Sequence, residues 1–206
     1  MQQCVGILLA GGLARRMGGG DKPLLEIGGR PIIAHAIERL GPQCAGLVIN
    51  ANGDPARFSA FGLPVVADSV EGFAGPLAGV LAGMDHVYAQ RPEVTDIVTA
   101  PADTPFLPTD LVKRLYEARN SARARIAVAE SGDRVHHAVA LWPVSIREEL
   151  RRALVEEDMR KVSAFIARYP NVNVAWPVAP YDPFFNVNQP DDVAAASALI
   201  GKGRPS

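Results

Sequence analysis

The feature that most constrains the fold is the alternation of short apolar runs with segments of helical periodicity. Runs rich in β-branched residues predict strands at residues 4–10, 46–50, 64–67, 96–100, 125–129, 138–142 and 172–176. Apolar residues at helical spacing predict helices at residues 31–40, 77–89, 111–118, 145–155, 161–169 and 191–200. Pro31 suits the first position of its helix. This alternation predicts an α/β fold with a doubly wound, mostly parallel sheet and helices on both faces.

Nothing in the chain suggests more than one domain. Its 206 residues fit one core of ordinary size, and no repeat or low-complexity linker interrupts them. We therefore expect residues 1–200 to form a single domain, with the Gly- and Pro-containing segment 201–206 as a flexible tail. In a doubly wound sheet, ligands bind outside the carboxyl ends of the strands, near the point where the strand order reverses. The residues directly after each strand are the first candidates for a site.

The charge and apolar patterns argue against two broad classes of partner. With 21 basic and 22 acidic residues, the net charge of −1 provides no overall positive field for binding nucleic acid. The apolar runs are far shorter than the roughly 20 residues that span a bilayer, so a membrane role is not expected. The arginine pair at 15–16 follows the first apolar run, whereas an export signal has its basic residues first. A cytoplasmic location is expected.

The cysteines and histidines do not form a metal-binding pattern. Cys4 and Cys44 are too few for a disulfide framework and form no Cys-x-x-Cys motif. The adjacent residues His136 and His137 would point to opposite faces of a strand, which prevents them from sharing one ion. Core or surface roles are expected for both histidines.

A glycine-rich, basic loop follows the first predicted strand. Residues 11–23 contain five glycines, two arginines and one lysine. Glycines let the backbone approach an anion closely, and arginine and lysine offset negative charge. The loop matches neither the P-loop pattern nor the Rossmann glycine pattern. A phosphate-binding loop is favoured over a solvated surface loop, because so much glycine beside a buried strand needs a reason.

The run LAGGLARRMGGGDKPLL at residues 9–25 resembles the nucleotidyltransferase signature in its molybdenum cofactor guanylyltransferase form. Gly12 and the Gly-Gly-x-Asp-Lys spacing resemble the guanylyl branch more than the cytidylyl or sugar-nucleotide branches. The resemblance implies a Rossmann-like nucleotidyltransferase fold. It also implies nucleotide binding by Leu9, Ala10, Gly11, Gly12 and Lys22, with Arg16 and Lys22 as catalytic cations.

An acidic residue follows the predicted strand at 96–100. Asp103 begins the sequence Asp-Thr-Pro, and a carboxylate there suits Mg²⁺, which takes one or two carboxylates together with phosphates and water. The alternative is that Asp103 caps the next helix. The resemblance favours the metal, because family members carry Asp-x-Pro with the aspartate on Mg²⁺. Asp103 is thus also expected to be catalytic and to contact the nucleotide.

Two further strand ends carry polar residues, and a Gly-Pro pair opens a helix. Asn50 and Asp68 could accept hydrogen bonds from guanine, although both are also common turn residues. Gly75 and Pro76 precede Leu77 in a Gly-Pro-Leu-Ala-Gly segment that could be simple helix initiation. The resemblance implies that all five positions bind the nucleotide.

Two late asparagines resemble the family's Asn-x-Asn-x-Pro motif. Asn186 and Asn188 would share one face of a strand, and the resemblance places them on the molybdopterin side. A helix cap at Asn188 is the alternative.

Over nearly the whole chain, the resemblance implies transfer of GMP from GTP to the terminal phosphate of molybdenum-molybdopterin. The products would be the guanine dinucleotide cofactor and pyrophosphate. Implied partners are GTP, molybdenum-molybdopterin, molybdenum-insertion proteins and acceptor molybdoenzymes. The alternatives are a molybdopterin cytidylyltransferase, a sugar-phosphate nucleotidyltransferase, and a non-catalytic nucleotide-binding carrier module.

Overall fold

The structure is a computed structural model that describes residues 4–11, 22–70, 72 and 75–202. A seven-stranded sheet has the order β5-β4-β1-β6-β8-β7-β9, and β2 and β3 form a separate hairpin. The strands are β1 Cys4–Leu9, β2 Glu26–Ile27, β3 Arg30–Pro31, β4 Leu47–Asn50, β5 Val65–Val66, β6 Asp96–Pro101, β7 Ile126–Ser131, β8 Arg134–Pro143 and β9 Asn171–Trp176. In the main sheet, β8 runs antiparallel to its neighbours β6 and β7, and the other pairs are parallel.

The α-helices of the described part are α1 Ile32–Leu40, α2 Pro76–Gln90, α3 Leu111–Ser121, α4 Arg147–Val155, α5 Val162–Ile166 and α6 Pro190–Lys202. Short 3-10 turns occupy Lys22–Leu24, Gly41–Gln43, Pro55–Phe61 and Val144–Ile146. All seven predicted strands and six predicted helices have a counterpart here. The predicted α/β fold with a mostly parallel, doubly wound sheet is confirmed.

Both faces of the sheet are covered, which explains why the central strands β1, β4 and β6 are buried without alternation. In β1, Leu8 packs on the face covered by α1 and α3, whereas Ile7 packs on the face covered by α2, α4 and α5. A third cluster joins α6 to the β2–β3 hairpin through Ile27, Val187 and Ala196. The hairpin follows Lys22 directly, so α6 supports the segment that carries this lysine.

Several predicted boundaries were wrong for local reasons. Pro31 pairs with Glu26 in β3, in an extended conformation, and α1 begins one residue later. Helix α5 stops at Ile166, because the chain tightens into three-residue turns ahead of a proline. The segment before α4 is a 3-10 turn, so α4 begins at Arg147. Helix α6 continues to Lys202, two residues into the predicted tail, and residues 203–206 lie outside the described part.

The strand order reverses between β1 and β6. The chain leaves β1 for β4 and β5 on one side, and β6 lies on the other. Leu9 pairs with both Asn50 and Pro101, so the carboxyl ends of β1, β4 and β6 lie side by side. This is the position at which doubly wound sheets bind ligands. In the described ranges, no helix is both long and apolar enough to cross a lipid bilayer.

Candidate functional site

A lysine and a carboxylate that are far apart in sequence meet at the strand-order reversal. The Nζ atom of Lys22 forms an ion pair with Oδ2 of Asp103 and donates a hydrogen bond to Oδ1 of Asn188. The side chains of Lys22 and Asp103 are only 15% and 18% exposed. Three of the predicted site residues therefore form one contact group.

The second carboxylate oxygen of Asp103 is buried and has no hydrogen-bond partner among the described residues. The turn that carries Asp103 is fixed on both sides: Ala102 donates its N–H to the carbonyl of Leu9 at 3.0 Å, and Val187 donates to the carbonyl of Asp103 at 3.1 Å. The predicted alternative of a helix cap is not observed, because Asp110 precedes α3. An unpartnered buried acceptor costs about 1–3 kcal/mol, so this oxygen is suited to a bound cation.

The donor set at Asp103 fits magnesium better than a metal that requires a protein cage. The described ranges hold no cluster of three or more His, Cys, Asp or Glu side chains that could bind a metal. Mg²⁺ typically uses one or two carboxylates and completes its octahedron with phosphate oxygens and water. One buried carboxylate oxygen beside an exposed ligand-binding edge meets that requirement.

Two asparagines at the end of β4, Asn50 and Asn52, hold the carboxylate of Asp68, which follows β5. Asn50 donates from Nδ2 to Oδ1 of Asp68 at 3.0 Å and to the carbonyl of Val66 at 3.2 Å. Asn52 donates to Oδ2 of Asp68 at 2.7 Å and accepts from the backbone N–H of Asp68 at 2.8 Å. The carboxylate is partly exposed and keeps unused lone pairs, so it can accept hydrogen bonds from a ligand.

Asn50 is buried at the end of β4, and its predicted contact with the nucleotide stays a prediction. Asn50 is 3% exposed, and its side chain lies against Gly79 of α2 and below Gly11. Little of its surface is open to a ligand, and its amide is used to hold Asp68. Asn50 and Asn52 both hold the carboxylate of Asp68, and Asn52 was not among the predicted site residues.

The first turns of α2 lie beside Asn50, through Gly79. Gly75 has a φ of +150°, which an L side chain rarely adopts, and both Gly75 and Pro76 are exposed. Leu77 is 1% exposed and packs in the core, so only its backbone could reach a ligand.

The loop after Asp68 is tied to the body of the protein through Asp85 of α2. Ser69 donates to Asp85 at 2.6 Å, and Arg147 and Arg151 of α4 donate to the same carboxylate at 2.9 Å and 2.7 Å. Burial raises the pKa of Asp85, but the hydrogen bonds from Ser69 and the two arginines outweigh burial and hold the pKa below its ordinary value. Sequence reasoning missed this group because its members are common surface residues.

Asn186 and Asn188 lie in the segment before α6, which contacts the Lys22–Asp103 pair and its neighbour Thr104. Asn186 accepts a hydrogen bond from the hydroxyl of Thr104 at 2.8 Å. The side chain of Asn188 contacts Lys22 rather than capping α6. The carboxylate of Asp192 accepts from the N–H of Asn188 at 2.7 Å and from that of the next residue at 2.9 Å, so Asp192 fills the capping role.

The first part of the glycine-rich loop has a defined position. Ala10 is 8% exposed and donates its N–H to the carbonyl of Asn50 at 2.9 Å, and Gly11 is exposed at the edge. Leu9 ends β1 and is partly buried. Gly12 and Arg16 lie outside the described residues, so their roles stay predictions.

Comparisons with known proteins identify the family of the chain. A family model described as a MobA-like NTP transferase domain matches residues 6–172. Proteins named molybdenum cofactor guanylyltransferase from Rhodopseudomonas palustris (strain BisB5) and Bradyrhizobium sp. (strain ORS 278) are 60% identical over 193 residues and 58% identical over 194 residues. Each alignment covers 94% of this chain and 92% of the relative.

Among solved structures, molybdopterin-guanine dinucleotide biosynthesis protein A from Archaeoglobus fulgidus has a TM-score of 0.73 at 23% identity, covering 96% of this chain and 99% of its own. At that identity the likeness supports the fold alone. The family match and the close relatives confirm the resemblance found in the sequence. The chain belongs to the MobA-like NTP transferase family, together with proteins named molybdenum cofactor guanylyltransferase.

Proposed function

We propose that this protein transfers GMP from GTP to the terminal phosphate of molybdenum-molybdopterin, forming the guanine dinucleotide cofactor and releasing pyrophosphate. The observation that carries the proposal is the pair of Lys22 and Asp103 at the strand-order reversal, with one buried carboxylate oxygen that has no partner among the described residues. Family membership and the names of relatives at up to 60% identity support this reaction over others of the same fold.

Asp103 would hold Mg²⁺ through the buried oxygen that no described residue contacts. When bound, the ion neutralises negative charge on the triphosphate and on the departing pyrophosphate. The other oxygen of Asp103 keeps its contact with Lys22, so the lysine is fixed beside the phosphates rather than free in solvent. Arg16 and the amides of Gly11 and Gly12 are proposed to hold the remaining phosphate charge.

The reaction needs no general base, because the attacking oxygen belongs to a phosphate that is already an anion. Catalysis then depends on alignment of the two substrates and on charge compensation. Lys22 contacts Asp103 on one side and Asn188 on the other, so its ammonium lies between the nucleotide side and the acceptor side. We propose that Lys22 offsets the charge that develops between the two phosphates.

Selection of guanine is assigned to Asp68. Guanine presents N1–H and N2–H₂ donors, which a carboxylate accepts and which cytosine does not offer in the same arrangement. The amides of Asn50 and Asn52 fix both oxygens of Asp68 while leaving lone pairs on each oxygen. Gly75 and Pro76 are exposed at the start of α2, and we propose that they contact the base through their backbone.

The proposal is tested by pyrophosphate release from GTP, molybdopterin and Mg²⁺, with each component omitted in turn. We expect release only when all three are present, and a loss of about 10²–10³ in rate for Lys22→Ala. A Lys22→Ala enzyme with unchanged kcat/KM would refute the role of the lysine. A protein that binds GTP but releases no pyrophosphate under any condition would be a carrier module instead.

A further inference from the structure

A chain of three polar side chains, two of them buried and the third partly exposed, lies at the carboxyl edge of the sheet, outside the contacts described so far. Ser131, the last residue of β7, is 3% exposed, and its hydroxyl lies 2.7 Å from Nε2 of His136 in β8. The same hydroxyl donates to Oδ1 of Asp182 at 2.8 Å. Asp182 is the first residue of the segment at 182–189, here named the acceptor-side segment.

The donors and acceptors of this chain fix its direction. Ser131 has one hydroxyl proton, and a carboxylate only accepts, so that proton points to Asp182. His136 must then donate through Nε2–H to the oxygen of Ser131. Burial lowers the pKa of His136, in keeping with a neutral ring that carries its proton on Nε2. The hydroxyl of Ser131 therefore bridges His136 and Asp182. Because His136 donates to it rather than accepting its proton, the hydroxyl is not activated as a nucleophile.

Asp182 also shapes the start of the acceptor-side segment. Its Oδ1 accepts from the backbone N–H of Phe184 at 2.9 Å, and its carbonyl accepts from that of Phe185 at 3.1 Å. The ring of Phe184 is 2% exposed, with its centroid 4.8 Å from that of His136 and 5.4 Å from that of Trp176. The segment is thus anchored at its start by polar and aromatic contacts together.

The other end of the same segment reaches the candidate site. Val187 donates to the carbonyl of Asp103, Asn186 accepts from Thr104, and Asn188 contacts Lys22. Few residues separate the anchor from these contacts. A shift at Asp182 is therefore transmitted to the two asparagines over a short length of chain.

We propose that Ser131, His136 and Asp182 are positioning residues that hold the acceptor-side segment in the geometry to which the molybdopterin substrate binds. This inference rests on the proposed function. Asp68 follows β5, at the opposite end of the strand order from β7 and β9. The segment also contacts Asp103 and Lys22. Disturbing the chain of three residues therefore weakens acceptor binding more than GTP binding.

The test is a comparison of KM for molybdopterin and for GTP in Ser131→Ala and Thr99→Val. We expect Ser131→Ala to raise the molybdopterin KM by about threefold to tenfold, with a smaller rise in the GTP KM. Thr99 is the matched control, because its hydroxyl is fully buried in the same sheet, donates to Ala138 at 2.9 Å and accepts from Nε1 of Trp142 at 2.9 Å. Among the described residues, it makes no hydrogen bond to the acceptor-side segment. Equal effects of the two variants, or equal changes in both KM values, would overturn the inference.

Asp182→Ala provides a second route if Ser131→Ala fails to fold. It should give the same selective rise in molybdopterin KM, and the double variant should be no worse than the more affected single variant. Amide hydrogen exchange without substrates supplies an independent readout: Phe184, Phe185 and Val187 should exchange faster in either variant. Unchanged exchange at these amides would overturn the inference. Absence of pyrophosphate release by the wild-type protein would instead refute the proposed function and leave the exchange test of the inference valid.

Discussion

Replacing Gly79 with alanine tests whether Asn50 positions the carboxylate that is assigned to guanine. A methyl group on Gly79 would lie within 3.0 Å of Cγ of Asn50 and 2.8 Å from Cδ2 of Leu9, both of which are closer than carbon atoms normally pack. Asn50 sits at the end of a strand and is buried, so it can yield only by leaving its present position. The two hydrogen bonds that it donates to Val66 and Asp68 would then be lost.

The expected change in the free energy of unfolding of Gly79→Ala is the sum of opposing effects. Alanine gains about 1 kcal/mol over glycine in a helix interior. Overpacking costs roughly 1–3 kcal/mol, and the two lost hydrogen bonds cost about 1 kcal/mol each. Gly79→Ala should therefore lower the free energy of unfolding by about 2–4 kcal/mol. Releasing Asp68 should weaken GTP binding by about tenfold to a hundredfold, the equivalent of one charged hydrogen-bond pair.

Gly83→Ala is the matched control on the same helix. Its methyl group would lie 2.7 Å from Cγ1 of Ile7, in the apolar core rather than against Asn50. We expect Gly83→Ala to reduce stability in urea unfolding without changing the GTP Kd measured by calorimetry. An unchanged GTP Kd in Gly79→Ala, or the same loss of affinity in both variants, would refute the assigned role of Asn50.

Three further predictions concern individual side chains. Asp103→Asn should reduce the rate of pyrophosphate release by about 10²–10³ and raise the Mg²⁺ concentration needed for half-maximal rate; an unchanged Mg²⁺ titration would contradict the metal assignment. Asn50→Asp places a second carboxylate against Asp68, so GTP affinity should fall by about tenfold or more in calorimetry, and unaltered affinity would argue against the contact. Burial lowers the pKa of His136 and His35 below 6.5 in the folded protein. As the pH falls, the unfolded chain therefore binds protons at these histidines before the folded protein does, and stability should fall as pH drops below about 6.5. His136→Gln should reduce that slope in urea unfolding between about pH 5 and 8, and an identical slope would exclude His136 as a source.

The fold and the edge of the sheet that carries the site could be predicted because they depend on local patterns. Buried strands give unbroken apolar runs, and residues such as Asn50 and Asp103 follow those runs directly. The rule that ligands bind at the carboxyl ends of parallel strands then brings these positions together. The β2–β3 hairpin was missed because two-residue strands leave no periodicity to detect.

The contacts within the site could not be predicted from pattern alone. Lys22 meets Asp103 and Asn188 across long stretches of sequence, and only the packed sheet brings them together. The burial of Asn50 was also hidden, because a strand-end asparagine has the same sequence signature whether it faces a ligand or the core. Ser131 joins residues of β8 and the loop after β9, a link set by sheet order rather than by any motif.

The most direct test of the central claim is the nucleotide dependence of pyrophosphate release. Purified protein, Mg²⁺ and molybdopterin would be supplied separately with GTP, CTP, ATP or UTP, and with mixtures in which GTP competes against each of the others. The assignment of Asp68 to guanine predicts release with GTP and little with the other three nucleotides. Preferential release with CTP would keep the fold and the phosphate chemistry but contradict guanylyl transfer.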